Sequence, residues 1–156
     1  MHELSNKKQK IALIGCGYWG TIIANNLLNL GHKNFYVYDS NIRNSHNLKK
    51  KFQNVIISRS HDDILKNESI KNIFYATPPS KNFSLIKKSI YYKKNIFLEK
   101  PGFNKLSDFN KIKKIKLNNK TLMFGYVYCY NNYIEYIKKI ILKKKLGKLL
   151  YINFQR

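Results

Sequence analysis

Short apolar runs alternate with stretches of helical periodicity along most of the chain. The runs that predict strands lie at residues 11–14, 35–38, 55–57, 73–77, 96–98 and 121–124. Between them, apolar residues recur at helical spacing, as Ile23, Leu27 and Leu30 do before Gly31. The order predicts six strands, each joined to the next by a helical segment.

The strand-like runs are continuously apolar, which indicates that both of their faces are covered. Half-solvated antiparallel strands alternate apolar and polar residues, whereas strands of a parallel sheet between two helical layers do not. We therefore predict an α/β fold with a doubly wound parallel sheet that is complete by Gly125.

A glycine-rich turn joins the first predicted strand to the first helix. Residues 15–20 read GCGYWG, a G-x-G-x-x-G pattern that gains meaning from this strand and helix context. The first glycine allows a tight turn, the second lets a pyrophosphate approach the backbone, and the third permits close helix packing. The pattern predicts a dinucleotide site and so a Rossmann-type NAD-binding fold, with an ordinary strand–helix turn as the alternative.

Polar residues at the ends of later strands add to this site. Asp39 ends the second strand, where a carboxylate can accept both ribose hydroxyls and repel a 2′-phosphate, so NAD is expected rather than NADP. A turn or helix cap is the alternative for Asp39, as a plain proline turn is for Thr77 and Pro78. The candidate cofactor-binding residues are Gly15, Gly17, Tyr18, Trp19, Gly20, Asp39, Thr77, Pro78 and Glu99.

Composition and charge narrow the function classes. The 156 residues are 44% hydrophobic, which excludes an intrinsically disordered chain. The net charge of +22 suggests nucleic acid as a partner. Lysines outnumber arginines 27 to 3 and are spread over the polar sides of predicted helices, which disfavours nucleic-acid recognition. Cys16, Cys129 and the four histidines lack metal-site spacing. Without an apolar membrane span or a signal peptide, we expect a cytoplasmic location.

The series IALIGCGYWG, VYDSN, IFYATPPS, NIFLEKP and TLMFGYVY resembles the N-terminal half of the glucose-fructose oxidoreductase, inositol dehydrogenase and MocA family. The resemblance implies an NAD(P)-dependent oxidoreductase that acts on a sugar or nucleotide-sugar hydroxyl. Its Glu-Lys-Pro triplet places the catalytic or substrate-orienting lysine at Lys100, with Glu99 as a possible partner. Two departures leave polar contacts open: Lys81-Asn82 stands where many members have Thr-His, and Gly125-Tyr126 where they have Gly-His.

The end of the chain predicts the beginning of a second domain. An amphipathic helix around residues 133–141 precedes a strand-like run at 149–154, which alone could not pair its backbone. We assign residues 1–9 to a polar leader, 10–126 to the dinucleotide-binding domain and 127–156 to a truncated substrate domain. Five tyrosines from Tyr126 to Tyr136 are interpreted as core or domain-interface residues, with a stacking platform for nucleic-acid bases as the alternative.

Family members are about twice as long, and their second domain supplies the proton-carrying histidine, so we expect the isolated chain to be inactive. A separately encoded C-terminal half or a homo-oligomer is the expected partner. The alternatives are a non-catalytic module from a truncated or split gene that binds NAD or a partner chain, and a basic nucleic-acid-binding protein.

Overall fold

Six parallel strands form one sheet in the computed structural model of the protein, which describes residues 10–153 and 155. The strands are β1 (Lys10–Ile14), β2 (Tyr36–Tyr38), β3 (Ile56–Ile57), β4 (Ile70–Tyr75), β5 (Asn95–Leu98) and β6 (Leu122–Phe124). Their order across the sheet is β3-β2-β1-β4-β5-β6. The predicted doubly wound parallel sheet is confirmed.

The helices follow the strands in the predicted alternation. They are α1 (Tyr18–Asn29), α2 (Ile42–Lys51), α3 (His61–Lys66), α4 (Pro79–Tyr91), α5 (Leu106–Lys113) and α6 (Asn132–Leu142), with a 3-10 helix at Val127–Tyr130. The alternation predicts a helical segment where α3 lies, between β3 and β4, but six residues are too few to show a periodic stripe that would give its bounds. It begins at a polar cap, where the Ser60 side chain accepts a hydrogen bond from the Asp63 amide.

The sheet separates two apolar cores. Side chains of β1 alternate between them, with Ile11 and Leu13 facing one core and Ala12 and Ile14 the other. Helices α1 and α2 cover the first core, and α3, α4 and α5 cover the second. Because β1 is buried on both faces, its sequence is continuously apolar, which is the signal that predicted a parallel sheet.

Strand β4 begins earlier than predicted, at Ile70 instead of residue 73. Lys71 and Asn72 interrupt the apolar run there, but backbone pairing with β1 extends back to Ile70. The Lys94 ammonium is buried and donates hydrogen bonds to the carbonyls of Asn67 and Ile70. Lys94 therefore fixes the start of β4, and its predicted place on the polar side of a helix is wrong.

The chain divides into two compact units, residues 1–125 and 126–156. In the second, Asn131 caps α6 by accepting hydrogen bonds from the amides of Tyr133 and Ile134. The predicted strand is wrong over residues 149–153, which form no strand, and Phe154 lies outside the described residues. The described part of this unit offers no strand with which the segment could pair.

The tyrosines of the second unit are not core residues. Their side chains are exposed, from 49% at Tyr126 to 80% at Tyr133. An apolar side chain is buried only when another element packs on it, and α6 has no buried residue. Within this unit the expected core packing is therefore wrong.

Candidate functional site

The carboxyl ends of four strands meet at one edge of the sheet. The amides that follow β1, β4 and β5 donate to the last carbonyls of neighbouring strands, as Gly15 N–H does to Tyr38 and Glu99 N–H does to Tyr75. The strand order reverses between β1 and β4, so the loops after these two strands lie at the topological switch point, where open α/β sheets bind their ligands. The edge brings together the loops that carry Gly15–Gly20, Asp39, Thr77–Pro78 and Glu99–Lys100.

Gly15 and Gly20 are required by close backbone contacts. A Cβ atom at Gly15 would lie 2.4 Å from the Ala76 carbonyl oxygen, and Gly15 has a φ of +92°. At Gly20, a Cβ atom would lie 1.9 Å from the Gly15 carbonyl oxygen. These two glycines let the loop close on itself and on the end of β4.

Gly17 differs from these two glycines because no described residue fills the space that a side chain would occupy there. A Cβ atom there would meet no atom within 4 Å, although Gly17 is the N-cap residue of α1. In the described residues, no side chain caps this helix and no acidic residue lies in its first turn. The amide end of α1 therefore faces open space that suits an anionic group, and the residues present fit a dinucleotide pyrophosphate.

The Asp39 carboxylate fixes the glycine loop to the end of β2. Its Oδ2 accepts a hydrogen bond of 2.8 Å from Cys16 N, and its Oδ1 accepts one of 2.8 Å from Asn41 N. The turn-capping alternative is therefore seen in the structure. Each carboxylate oxygen has a second acceptor position, so this capping is compatible with ribose binding.

Cys16 supports the loop from inside the protein. Its side chain is buried, with Sγ 3.7 Å from the Ser45 hydroxyl. Burial raises the pKa of the Cys16 thiol to about 11, so the thiol stays protonated at neutral pH. Cys16 is therefore a packing residue of the tight turn.

A buried amide links the loops after β4 and β5. Asn82 is fully buried, accepts a 2.6 Å hydrogen bond from Thr77 Oγ1 and donates one of 2.6 Å to the Gly102 carbonyl. Pro78 is exposed at the start of α4. In the sequence, Asn82 stands out only as a departure from the family pattern. Its role as a link between the two loops depends on its contact with Gly102, which only the folded structure shows.

Lys100 lies directly after β5, with its side chain exposed. Its ammonium Nζ lies 5.4 Å from the centre of the Trp19 ring in the first turn of α1. Glu99 accepts a hydrogen bond from the Lys100 backbone amide through Oε2 at 3.1 Å. Among the described residues, Glu99 forms no ion pair with the Lys100 ammonium. The structure thus brings Lys100 to the glycine loop.

The described part of the chain has neither a cluster of metal-ligating residues nor a helix suited to crossing a membrane. It contains no group of three or more residues of metal-ligating type placed to hold an ion. None of its helices has the length and apolar character needed to cross a membrane.

A parallel sheet of order 3-2-1-4-5-6 with a glycine-rich turn at its switch point defines a Rossmann-type dinucleotide-binding fold. Residues 9–126 match the model of the oxidoreductase family with an NAD-binding Rossmann fold, the glucose-fructose oxidoreductase, inositol dehydrogenase and MocA family. The chain belongs to this family, which confirms the resemblance in the sequence.

Solved structures share the fold. Myo-inositol dehydrogenase from Lactobacillus casei, in complex with NAD(H) and myo-inositol, superposes with a TM-score of 0.82 at 22% identity, over 88% of this chain and 42% of that one. GenD2 from gentamicin A biosynthesis, in complex with NAD, gives 0.76 at 17% identity, over 87% and 39%. UDP-N-acetylglucosamine 3-dehydrogenase GnnA from Acidithiobacillus ferrooxidans gives 0.72 at 16%, over 84% and 42%.

The chain spans about two-fifths of the length of these proteins. A search among curated proteins finds no match. The shared fold is therefore that of the N-terminal, cofactor-binding part of the larger oxidoreductases.

Proposed function

We propose that this chain is the NAD-binding half of an oxidoreductase that transfers a hydride to or from a hydroxyl-bearing carbon of a sugar or nucleotide sugar. The observation that carries the proposal is the open space at Gly17, at the uncapped amide end of α1 and at the switch point of the sheet. Backbone amides in that position bind phosphate oxygens. Family membership adds the NAD-binding class.

Different residues of the chain are proposed to bind different parts of the cofactor. Gly15 and Gly20 shape the turn, Gly17 with Tyr18 and Trp19 lines the pyrophosphate side, and Asp39 accepts the ribose hydroxyls. Thr77, Pro78 and Glu99 line the other loops of the same edge. When bound, the nicotinamide supplies the hydride donor or acceptor.

Lys100 is proposed to be the catalytic residue. Its exposed ammonium would donate a hydrogen bond to the substrate hydroxyl and stabilise negative charge that develops on that oxygen. Support comes from its place after β5, at the same edge as the glycine loop, and from the resemblance of Glu99-Lys100-Pro101 to the triplet of the family to which the chain belongs.

A sugar or nucleotide sugar is proposed as the substrate class because structures of the same fold include inositol dehydrogenases and a UDP-N-acetylglucosamine dehydrogenase. We propose that residues 127–156 begin the substrate domain, and that the remainder comes from a longer or separately encoded chain or from a homo-oligomer. Hydride transfer is proposed to need that remainder, because in the family the second domain supplies the histidine that carries the hydroxyl proton. A cytoplasmic location fits this chemistry.

Cofactor choice provides the test. The negative charge of Asp39 should repel a 2′-phosphate, so calorimetry is expected to show tighter binding of NADH than of NADPH. The Asp39→Asn variant should reduce the difference in affinity between NADH and NADPH. The control variant Asp62→Asn makes the same charge change on α3 and should not alter that difference. Equal affinities in the wild type, or tighter binding of NADPH, would remove the role given to Asp39.

A further inference from the structure

Trp19 is the side chain that the Lys100 ammonium contacts. The distance of 5.4 Å from Nζ to the ring centre lies within the range of cation–π attraction. Trp19 belongs to the glycine loop and the first turn of α1, whereas Lys100 follows β5. The contact therefore joins the loop proposed to bind the pyrophosphate to the residue proposed to act on the substrate.

An aromatic ring holds an ammonium differently from a carboxylate. A carboxylate would neutralise the charge of Lys100 and occupy its N–H donors, whereas a ring face attracts the charge without accepting a strong hydrogen bond. Glu99, the nearest acid in sequence, accepts a hydrogen bond from the Lys100 backbone amide instead. Lys100 thus keeps its positive charge and its donors for a substrate oxygen.

The Trp19 ring also packs against a neighbouring aromatic ring. The Tyr18 ring meets it edge-on, with ring centres 5.6 Å apart and planes at 82°. Trp19 is 48% exposed, so part of its side chain remains accessible to solvent. Trp19 thus contacts Tyr18 and Lys100 together.

We propose that Trp19 is a positioning residue for Lys100, which it holds at the glycine loop with its charge and hydrogen-bond donors free. This role rests on the proposed function, since it matters to the reaction only if Lys100 meets the substrate. It assigns to Trp19 a task beyond lining the pyrophosphate side of the loop.

The test is the chemical shift of the Lys100 ε-methylene protons, assigned by comparison with the Lys100→Arg variant. A ring face shifts such protons upfield, so the signal should be upfield in the wild type, persist in Trp19→Phe and return to the ordinary lysine position in Trp19→Leu. Lys111, whose Nζ lies 5.6 Å from the Phe83 ring centre, is the internal control and should not change. Thermal unfolding of both Trp19 variants shows whether they are folded, so that a change in the Lys100 signal can be assigned to the lost ring.

Fluorescence gives a second readout, because Trp19 is the only tryptophan of the chain. Lys100→Met should alter its emission, whereas Lys111→Met should not. An ordinary Lys100 shift in the wild type, or an upfield shift that survives in Trp19→Leu, overturns the proposal.

An NADH titration of the same samples separates this inference from the proposed function. NADH binding without the upfield shift overturns the positioning role alone. An upfield shift without NADH binding overturns the cofactor assignment on which the role rests.

Discussion

At the scale of single residues, the loop's glycines meet different demands. Gly20 has a backbone carbonyl where a Cβ would go, whereas Gly17 has open space. We expect Gly20→Ala to lower the free energy of unfolding by about 2–4 kcal/mol, because the loop must move away from the added atom. Gly17→Ala should cost less than about 1 kcal/mol, the usual scale for an exposed cap position. Urea denaturation of both variants measures the difference, and equal losses would contradict it.

The same residues show what sequence can reveal about a site. The glycines and Asp39 were predictable because a local motif with its strand and helix context constrains them. The links from Asn82 to Thr77 and Gly102 were not, since they join residues up to 20 positions apart through folding. The contact between Trp19 and Lys100 is of the same kind.

At the scale of elements, the strands were predictable because burial on both faces leaves continuous apolar runs. The start of β4 was not, because backbone pairing and the buried Lys94 ammonium extend it beyond its apolar run. At residues 149–153 the opposite holds: the apolar run predicted a strand, but the segment forms none because the described part of its unit has no strand for it to pair with.

Helix α3 is attached to β4 and α4 by a buried chain of hydrogen bonds. Ser89 Oγ donates to the Leu85 carbonyl, so it accepts from the Tyr75 hydroxyl, which in turn accepts from His61 Nε2 at 2.6 Å. His61 is therefore a buried neutral donor at the first position of α3.

Burial of His61 makes stability depend on pH. Desolvation lowers its pKa from 6.5 to about 4, so between these values the unfolded chain binds more protons than the folded one. Lowering the pH from 7 to 4 should therefore remove up to about 3 kcal/mol of His61's contribution. His61→Gln keeps an N–H donor but does not titrate in this range. Unfolding free energies of the two proteins should converge or cross as the pH falls, and parallel profiles would contradict the prediction.

At the scale of the whole molecule, charge complicates any binding measurement. A net charge of +22 attracts every anion, and NADPH carries more negative charge than NADH. Non-specific attraction would therefore favour NADPH, so a preference for NADH requires a specific site. The lysines that supply this charge are spread over the chain, which is why charge alone did not predict the function.

The proposed reaction needs a cofactor site and a substrate site, and this chain corresponds to the part of its relatives that holds the first. Residues 1–125 contain the glycine loop and Lys100, and the chain spans about two-fifths of the solved oxidoreductases it resembles. The cofactor-binding claim is therefore the part of the account that this chain can test by itself.

The most direct measurement is the affinity for NADH of the wild type and of Gly17→Val, by calorimetry at physiological ionic strength. The variant keeps the net charge, and its side chain enters space that is open in the structure, so circular dichroism should show an unchanged fold. The account predicts that the wild type binds one NADH per chain and that the variant loses this binding, because valine fills the place of the pyrophosphate. Equal binding by both proteins, or binding by neither, would contradict it.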